Sequence, residues 1–385
     1  MSCGREEYQC SSGDCVQLSL ACDGVPDCGD GSDEHYSQCL LACADNGGCG
    51  EVCQPTPSGP VCRCQPGHQE VISPDLTICQ DIDECLLPSS CAQLCTNTKG
   101  SFKCSCHEGF TQEGHQCRAQ GGPARILYAL GGKVEGLVLR EDGLVRAELE
   151  MSSQEVVIKS FDYNPHSAIL YWTSSTLGIV GSFDVENQKN QVWLESVESP
   201  DQIGVDWMTG NVYLTHSDSS NLTVCTSTGL CKSLPQAAVI VTQIELDPVA
   251  GLMFVAGYNP DHSHPFRTGA VYPYTLAGQP LEEANILGAD KTGVPTGLTL
   301  DTQMRRVYWS YFPSLDLHMC DYWGRACHTV TKSTHDIPHF LTFFESKLYW
   351  ISGVEGHLYQ YDIVRQNLRY FISHLSITEL ILLPA

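Results

Sequence analysis

Five carboxylates crowd into one short segment near the start of the chain. Asp23, Asp27, Asp30, Asp33 and Glu34 lie within twelve residues. Carboxylates at this spacing repel one another unless a cation lies among them. Calcium takes six to eight oxygen ligands, so a cluster of this density suits calcium. The segment is therefore predicted to bind calcium.

The charge balance and the motif content exclude several classes of function. Asp and Glu outnumber Lys and Arg by 45 to 21, which gives a formal net charge of −24. Such a balance argues against phosphate contacts, so nucleic acid is not expected as a partner, and cationic partners or divalent metal are favoured. The chain has no Gly-x-Ser-x-Gly elbow, no His-Glu-x-x-His and no phosphate loop, so an enzyme is not expected either.

Cysteine divides the chain into two parts of different kinds. Eighteen of the 22 cysteines lie between Cys3 and Cys117, in three groups of six that each cover fewer than 40 residues. Modules this small cannot fold on an apolar core alone and need disulfides, metal or both. Six cysteines allow 15 pairings, and spacing alone does not choose between them. A cysteine content this high indicates an oxidising, extracellular compartment.

The first cysteine group, over residues 1–40, resembles a low-density lipoprotein receptor class A repeat. The hallmark of that repeat is the acidic run that reads Cys28-Gly-Asp30-Gly-Ser-Asp33-Glu34 here. The resemblance implies the disulfides Cys3–Cys15, Cys10–Cys28 and Cys22–Cys39. It implies calcium bound by the side chains of Asp23, Asp27, Asp33 and Glu34 and by the carbonyls of Leu20 and Val25. Family modules that capture a lysine often carry an aromatic residue where Leu20 stands and a further acid where Val25 stands, so weak lysine docking is expected.

The second and third groups, over residues 41–80 and 81–118, resemble epidermal growth factor-like modules. The resemblance implies the disulfides Cys43–Cys53, Cys49–Cys62, Cys64–Cys79, Cys85–Cys95, Cys91–Cys104 and Cys106–Cys117. The third module begins Asp81-Ile82-Asp83-Glu84-Cys85 and resembles the calcium-binding subtype. That subtype implies side-chain ligands from Asp81, Glu84 and Asn97 and carbonyl ligands from Ile82, Thr98 and Ser101. The second module lacks an acidic lead-in, and no metal is expected there.

The remaining chain, residues 121–385, repeats a strand-like pattern. An aromatic residue after an apolar lead recurs at intervals of 43, 42, 41, 54 and 41 residues, at Tyr128, Tyr171, Tyr213, Phe254, Tyr308 and Tyr349. A period near 42 with short strands is typical of a propeller blade of four strands. The sequence Tyr171-Trp172-Thr173 resembles the YWTD-type propeller of the low-density lipoprotein receptor family. The predicted fold is therefore mostly β, with small disulfide and calcium modules followed by a six-bladed β-propeller.

Other residues in this part point to covalent modification and to pH sensitivity. Cys225 and Cys231, and likewise Cys320 and Cys327, flank short turns and predict two hairpin disulfides. Asn221-Leu-Thr223 is an N-glycosylation sequon. Ten of the 14 histidines follow residue 160, and histidine gains its charge between pH 5 and 8. The candidates for an acid-triggered switch are His216, His262, His264, His318, His328 and His339.

The order of modules resembles the middle of an endocytic lipoprotein receptor, a class that includes the vitellogenin receptors. The resemblance implies the extracellular part of a cell-surface receptor that binds protein or lipoprotein ligands with calcium and releases them in acidic endosomes. The alternative is an extracellular matrix or signalling co-receptor module that binds protein partners through the propeller. No apolar run approaches the roughly 18 residues of a membrane-spanning helix, so a signal peptide and a membrane anchor are expected in segments outside this chain.

Overall fold

The computed structural model describes most of the 385-residue chain. The described residues are 3–383 without 5, 74–75, 87–89, 108, 121–123, 141–142, 153–155, 218, 236–238, 260–268, 289–292, 333–336, 353–355 and 373–378. They form two compact units, Met1–Ser105 and Cys106–Ala385. The boundary falls inside the third predicted module, whose last hairpin belongs to the second unit.

Short hairpins and helical segments build the first unit. Its elements are β1 (Glu7–Gln9), β2 (Cys15–Gln17), a 3₁₀ turn (Leu18–Leu20), α1 (Tyr36–Ala42), a 3₁₀ segment (Ala44–Gly48), β3 (Val52–Thr56), β4 (Gly59–Arg63), β5 (His68–Ser73), β6 (Leu76–Asp81), a 3₁₀ turn (Glu84–Leu86), β7 (Leu94–Thr98) and β8 (Ser101–Ser105). The strands form the antiparallel pairs β1–β2, β3–β4, β5–β6 and β7–β8. Isolated two-stranded hairpins are marginally stable, so this unit depends on cross-links.

Disulfides supply those cross-links, and all 22 cysteines are paired. The bonds in the first unit are Cys3–Cys15, Cys10–Cys28, Cys22–Cys39, Cys43–Cys53, Cys49–Cys62, Cys64–Cys79, Cys85–Cys95 and Cys91–Cys104. Those in the second unit are Cys106–Cys117, Cys225–Cys231 and Cys320–Cys327. Each is a pair that the family resemblance or the hairpin spacing implied.

The second unit begins with a hairpin and continues as a ring of sheets. The hairpin is β9 (Phe110–Glu113) and β10 (Gln116–Ala119). The ring contains β11 (Arg125–Leu130), β12 (Lys133–Arg140), β13 (Gly143–Ser152), β14 (Ser160–Asn164), β15 (Ile169–Ser174), β16 (Ile179–Asp184), β17 (Lys189–Leu194), β18 (Pro200–Asp206), β19 (Asn211–His216), β20 (Leu222–Cys225), β21 (Cys231–Ser233), β22 (Ile240–Asp247), β23 (Leu252–Tyr258), β24 (Gly269–Thr275), β25 (Val294–Asp301), β26 (Arg306–Phe312), β27 (Asp316–Asp321), β28 (His328–Lys332), β29 (Pro338–Phe344), β30 (Lys347–Ser352), β31 (Leu358–Asp362), β32 (Asn367–Ile372) and β33 (Glu379–Leu383).

Neighbouring strands in sequence form antiparallel four-stranded sheets, as in a β-propeller. These sheets are β14 to β17, β18 to β21, β25 to β28, β29 to β32, and a sheet of order β13-β12-β11-β33. The last of these joins the two ends of the ring, because β33 lies beside β11. The six recurring aromatic residues are all buried, with at most 5% of each exposed, so they pack between sheets.

The prediction of six four-stranded blades is wrong, because five sheets have four strands. The remaining sheet, β22-β23-β24, has three. Beyond β24 the described chain makes only isolated bridges to it, Tyr274 with Pro280 and Val271 with Leu287. Pro280 has no N–H to donate to a ladder, which accounts for the interruption at the point where a fourth strand would begin.

Trp172 needs a glycine on the neighbouring strand. Its ring crosses from β15 over Gly181 of β16, and its Nε1 donates to Asn190 Oδ1 on β17 at 3.1 Å. A Cβ at Gly181 would overlap the indole ring. We expect Gly181→Ala to lower the free energy of unfolding by about 1–3 kcal/mol, as overpacked cores do.

Tryptophan fluorescence during urea unfolding measures this effect, because all six tryptophans lie in the second unit. Gly204→Ala in β18 is the matched control. There an added Cβ would meet the flexible end of Leu246 at 3.2 Å, so a loss below about 1 kcal/mol is expected. Equal losses in the two variants would contradict the assigned role of Gly181.

Asp162 links two adjacent sheets through its carboxylate. Its Oδ2 accepts from Val205 N of β18 at 2.7 Å, and its Oδ1 accepts from Tyr163 N at 2.8 Å. Burial raises the pKa of Asp162 from 3.8 to about 6, although both hydrogen bonds oppose the rise. The native state therefore holds a proton that the unfolded chain releases, and the free energy of unfolding falls as pH rises from about 4 through 6.

We expect Asp162→Asn to remove this dependence on pH. Between about pH 4.5 and pH 7.5 the variant should gain about 2 kcal/mol of unfolding free energy relative to the wild type. Urea unfolding of both proteins at the two pH values gives the difference directly, and contributions from other titrating groups cancel in it. A difference that does not change with pH would show that Asp162 is ionised throughout.

Candidate calcium and ligand-binding sites

Asp33 is the centre of the first candidate calcium site. Its side chain is fully buried. One oxygen, Oδ2, accepts from Asp27 N at 2.7 Å, and among the described residues the other, Oδ1, has no hydrogen-bond partner. A buried carboxylate with an unused oxygen is costly unless a cation balances it.

Glu34 holds the Asp23–Gly24 turn of the same loop through both of its carboxylate oxygens. Its Oε1 accepts from Asp23 N at 2.8 Å, and its Oε2 accepts from Gly24 N at 2.9 Å. Cys22 N donates to Asp33 O at 3.0 Å, which closes the same loop. The segments that carry Asp23, Asp27, Asp33 and Glu34 are thus brought together, while Leu20 ends the preceding 3₁₀ turn and Val25 follows within the loop.

Asp30 belongs to the acidic run, but its carboxylate accepts hydrogen bonds from Ser32 and is not in the predicted ligand set. Its Oδ1 accepts from Ser32 Oγ at 2.6 Å and from Ser32 N at 3.1 Å. The hydrogen bond from the Ser32 hydroxyl lowers the pKa of Asp30. The remaining predicted ligands all offer oxygen atoms, and within the described part of the chain one of them, Asp33 Oδ1, is buried without a hydrogen-bond partner. Such a ligand set fits calcium. Bound calcium would balance the negative charge of the buried Asp33 carboxylate and would cross-link the loop.

Asp81 organises the second candidate calcium site, at the start of the third module. Its Oδ1 accepts from Gly100 N at 2.5 Å, and its Oδ2 accepts from Asn97 Nδ2 at 2.8 Å. The hydrogen bond from Gly100 lowers the pKa of Asp81. Glu84 Oε2 is buried and has no partner among the described residues. Asp81 and Asn97 are therefore in contact, and Glu84 offers an unused oxygen, which fits a calcium ligand set.

The predicted carbonyl ligands lie on the same elements. Thr98 and Ser101 face each other at the β7–β8 turn, where Thr98 Oγ1 donates to Ser101 O at 2.9 Å. Ile82 directly follows Asp81, and its N–H donates to Gly67 O at 2.9 Å. The last contact comes from the second module, so that module helps to hold the lead-in of the third.

Sequence reasoning missed His68, which lies at this junction. Its side chain is only 6% exposed, and its Nε2 lies 3.7 Å from Glu51 Oε1 and 4.0 Å from Asp81 Oδ1. The preceding residue, Gly67, has φ +84°, and a Cβ there would overlap the backbone of Gly100. The sequence carries no sign of this role for His68 beyond the Gly-His pair soon after Cys64. Burial of His68 against the next module depends on tertiary contacts, which the local sequence does not show.

Arg63 forms a second junction within the first unit. Its Nη1 and Nη2 donate to the two carboxylate oxygens of Glu6 at 2.9 and 2.8 Å, and its Nη1 lies 3.9 Å from Glu70 Oε1. Bidentate Arg–carboxylate pairs fix orientation as well as distance. The class A module and the second module are therefore joined by a side-chain clamp as well as by the chain.

The described histidines of the predicted acid switch are spread over three sheets. His216 is half-buried, with Nδ1 2.6 Å from Glu198 O and Nε2 3.0 Å from Thr223 Oγ1. His318 is buried and stacks on Trp309 at 5.7 Å. His328 and His339 are half-buried on β28 and β29. His262 and His264 lie outside the described residues.

The predicted glycosylation site is accessible. Asn221 is exposed and directly precedes β20. Thr223 of the same sequon is the residue whose hydroxyl contacts His216. In the described part of the chain, no helix has the length and apolar character needed to cross a membrane.

Known protein families match the two modules that contain the candidate calcium sites. The family model "Low-density lipoprotein receptor domain class A" matches residues 1–39, and "Calcium-binding EGF domain" matches residues 81–117. The chain is 34% identical to "Vitellogenin receptor Yl" of Drosophila melanogaster over 345 residues and 29% identical to "Vitellogenin receptor" of Solenopsis invicta over 336 residues. These alignments cover 86% and 81% of this chain but 16% and 17% of the two relatives.

A solved structure resembles the propeller. The chain is similar to one from "Crystal structure of Nidogen/Laminin Complex", with a TM-score of 0.60 and 17% identity, over 67% of this chain and 98% of that one. At this identity the likeness concerns the fold alone. The two curated relatives are receptors by name. The two matching family models describe calcium-binding modules, so calcium is the cofactor.

Proposed function

We propose that this chain, a member of the low-density lipoprotein receptor family, is the extracellular ligand-binding region of an endocytic receptor for yolk-protein or lipoprotein ligands. The observation that carries the proposal is the alignment of most of the chain with two vitellogenin receptors. In this proposal residues 1–40 are the class A repeat, 41–80 and 81–118 the growth factor-like modules, and 121–385 the propeller.

Calcium has a defined part in this function. Asp23, Asp27, Asp33 and Glu34, with the carbonyls of Leu20 and Val25, hold one ion. Asp81, Glu84 and Asn97, with the carbonyls of Ile82, Thr98 and Ser101, hold the other. The support is one buried carboxylate oxygen at each site, Asp33 Oδ1 and Glu84 Oε2, for which the described residues offer no hydrogen-bond partner. With both ions bound, the small modules keep the shape that a protein ligand recognises, and the acidic surface favours a cationic ligand.

Release at acidic pH is the second part of the proposal. Calcium ligands must be ionised, so acid weakens both sites. Among the propeller histidines, His216 has the contacts that suit a switch. With its Nδ1–H donated to Glu198 O, its Nε2 accepts from the Thr223 hydroxyl, and protonation at Nε2 would make that nitrogen a donor. The Thr223 hydroxyl would then have to turn, two residues from the exposed Asn221.

A pull-down with purified protein and a native yolk and lipoprotein fraction tests the proposal. It is run with calcium at neutral pH, with chelator, and at endosomal pH. Capture that needs calcium and is lost in acid is expected. Capture that persists with chelator would contradict the role of calcium, and no capture under any condition would contradict the receptor function. If acid still releases the ligand from His216→Asn and from the matching variants of His318, His328 and His339, the histidine switch is contradicted.

A further inference from the structure

Three turns of the propeller present exposed apolar side chains on the same side of the ring. Met208, Leu230 and Val249 are 57%, 74% and 72% exposed. They lie in the β18–β19, β20–β21 and β22–β23 turns, respectively. Because the strands of each sheet are antiparallel, the β18–β19 and β20–β21 turns leave their sheet at the same end. We name the side chains of Met208, Leu230 and Val249 the apolar tips.

The three turns are close to one another. A Cβ at Gly210 would lie 4.0 Å from Ser227 Cβ, so the β18–β19 and β20–β21 turns are in contact. In the next sheet, Leu276 N donates to Gly251 O at 3.0 Å, and Leu276 O accepts from Tyr213 Oη of β19 at 3.0 Å. The β22–β23 turn is thereby tied to the sheet that contains β18 to β21. The apolar tips therefore share one surface.

Buried carboxylates and a disulfide hold these turns in place. Asp206 Oδ1 accepts from Met208 N at 3.0 Å, and Asp247 Oδ1 accepts from Ala250 N at 3.0 Å. Both aspartates are buried. The disulfide Cys225–Cys231 closes the third turn. The apolar tips are thus exposed on ordered turns, so a partner that covers them loses little affinity to the ordering of the chain.

The surface around the apolar tips is uncharged. The turns at residues 207–210, 226–230 and 248–251 contain no charged residue. The turns at the same end of the other four-stranded sheets between β14 and β32 do contain charged residues. These are Glu186, Arg305, Arg325, Glu345 and Arg365. An uncharged surface with exposed apolar side chains is therefore particular to two adjacent sheets.

The fold of the turn does not require an apolar tip. Met208 and Val249 each follow a buried aspartate by two residues. Gln303 follows the buried Asp301 by two residues, so it has the same place in the β25–β26 turn, and it is exposed. His166 has this place in the β14–β15 turn and is exposed as well. Apolar residues at this place contribute exposed apolar surface without being needed for the turn, which is typical of a binding surface.

Charge and area decide what covers the apolar tips. The chain has a net charge of −24, so a neutral partner meets the least repulsion at an uncharged surface, and anionic lipid is disfavoured. A stable protein interface buries about 800 Å² on each partner, and three apolar side chains supply much less than that. The apolar tips stand singly among the exposed residues Thr209, Thr226 and Thr228. This arrangement suits insertion between lipid headgroups, where binding scales with the apolar area buried.

We propose that the apolar tips insert into the zwitterionic phospholipid surface of a lipoprotein particle. Trp207, next to Met208, is half-buried and lies at headgroup level, where tryptophan is enriched. The predicted glycan at Asn221 is on the β19–β20 turn, at the opposite end of its sheet, and would leave the apolar tips uncovered. The inference rests on the proposed receptor function, because it names the chemistry by which the propeller takes a lipoprotein ligand.

The test uses the full chain with calcium and triglyceride emulsion particles that are coated with phosphatidylcholine. Flotation measures the partition coefficient of the wild type and of Met208→Ser/Leu230→Ser/Val249→Ser. We expect the triple variant to lose at least about tenfold in this coefficient, because each inserted apolar side chain favours transfer out of water. Equal partition of the two proteins would overturn the proposal.

Leu177→Ser/Val192→Ser/Leu368→Ser is the matched control. It removes apolar side chains that are 51%, 48% and 46% exposed outside the turns of the apolar tips, and its partition should not change. Urea unfolding of the triple variant should match the wild type. If the triple variant is destabilised, Gln303→Met decides instead, because it adds an apolar side chain at the same place in the β25–β26 turn. Its partition coefficient should rise, and no rise would overturn the proposal.

Two other lipid surfaces and one measurement of mass identify the partner. Particles coated with phosphatidylserine should bind less, and stronger binding to them would overturn insertion in favour of electrostatic adsorption. Bilayer vesicles of phosphatidylcholine should bind less than the emulsion, and equal binding would overturn the lipoprotein particle as the source of the lipid. Sedimentation should show a monomer, and a dimer that the triple variant abolishes would overturn the proposal in favour of a second copy.

The lipid contact and the receptor function can fail separately. A wild-type chain that captures a yolk ligand with calcium but does not float with the emulsion would overturn the role of the apolar tips and leave the receptor function in place. A chain that floats through the apolar tips and captures no yolk or lipoprotein ligand would overturn the receptor function alone.

Discussion

Deletion of β33 is expected to abolish folding of the propeller. This strand, Glu379–Leu383, is hydrogen-bonded to β11 over the pairs from Arg125 with Leu383 to Ala129 with Glu379. It completes the sheet β13-β12-β11-β33, in which strands from the two ends of the ring meet. Ile381 also packs against the buried cluster that contains Leu127 and Trp172. Without β33, β11 would expose an unpaired edge, and the ring would be held together only by contacts between sheets.

The expected loss is at least about 5 kcal/mol, which equals the whole stability of a domain at the lower end of the usual range. It is measured by tryptophan fluorescence and by limited proteolysis of a chain that stops at residue 378. A chain that stops at Leu383 is the matched control, because it keeps the whole strand. We expect the control to unfold like the wild type. A cooperative unfolding transition in the shorter chain would contradict the role of β33 in closing the ring.

The recurring aromatic residues predicted much of the propeller from sequence alone. Every one lies on the second strand from the inside of its sheet: Tyr128 on β11, Tyr171 on β15, Tyr213 on β19, Phe254 on β23, Tyr308 on β26 and Tyr349 on β30. That strand is buried on both sides, so it must be apolar in each repeat, and its spacing survives in the sequence. The fourth strands β17, β21, β28 and β32 are largely exposed, so their sequences are less constrained. Nothing in the sequence spacing shows that the described chain around Pro280 forms only isolated bridges.

The candidate sites also contain features that the sequence predicts and features that it does not. The acidic run and the Asp81 lead-in are local in sequence, so their residue types and spacing are enough to predict calcium sites. The burial of His68 and the clamp between Arg63 and Glu6 join residues of different modules. Such contacts depend on how one module packs on the next, and no single module contains the signal.

Replacement of Asp33 by asparagine is expected to remove the first calcium site. Asparagine has the same shape and can still accept from Asp27 N, so the change removes the charge and little else. Loss of a buried, charged ligand should lower calcium affinity at this site by at least about a hundredfold. Calorimetric titration of the full chain should then show one bound equivalent of calcium in place of two, because the Asp81 site is untouched.

Asp14→Asn is the matched control for this change. Asp14 is an exposed carboxylate of the same module, and its Oδ2 accepts from Ser12 Oγ at 2.9 Å, outside the calcium loop. The control should bind two equivalents with unchanged affinity. If Asp33→Asn also binds two equivalents with unchanged affinity, Asp33 is not a ligand.

The stability difference between Asp33→Asn and the wild type should change sign when calcium is added. It would keep the same sign if Asp33 had only a structural role. With chelator, the wild type buries a carboxylate whose Oδ1 has no partner among the described residues, so Asp33→Asn should be at least as stable as the wild type. With calcium in excess, the ion binds the native wild type and raises its free energy of unfolding by an amount that grows with calcium concentration. The wild type should then be the more stable protein. Hydrogen exchange in residues 6–43 of both proteins, with and without calcium, measures this change in relative stability. A variant that is less stable in both conditions would mean that Asp33 acts through its hydrogen bond to Asp27 and not through a cation.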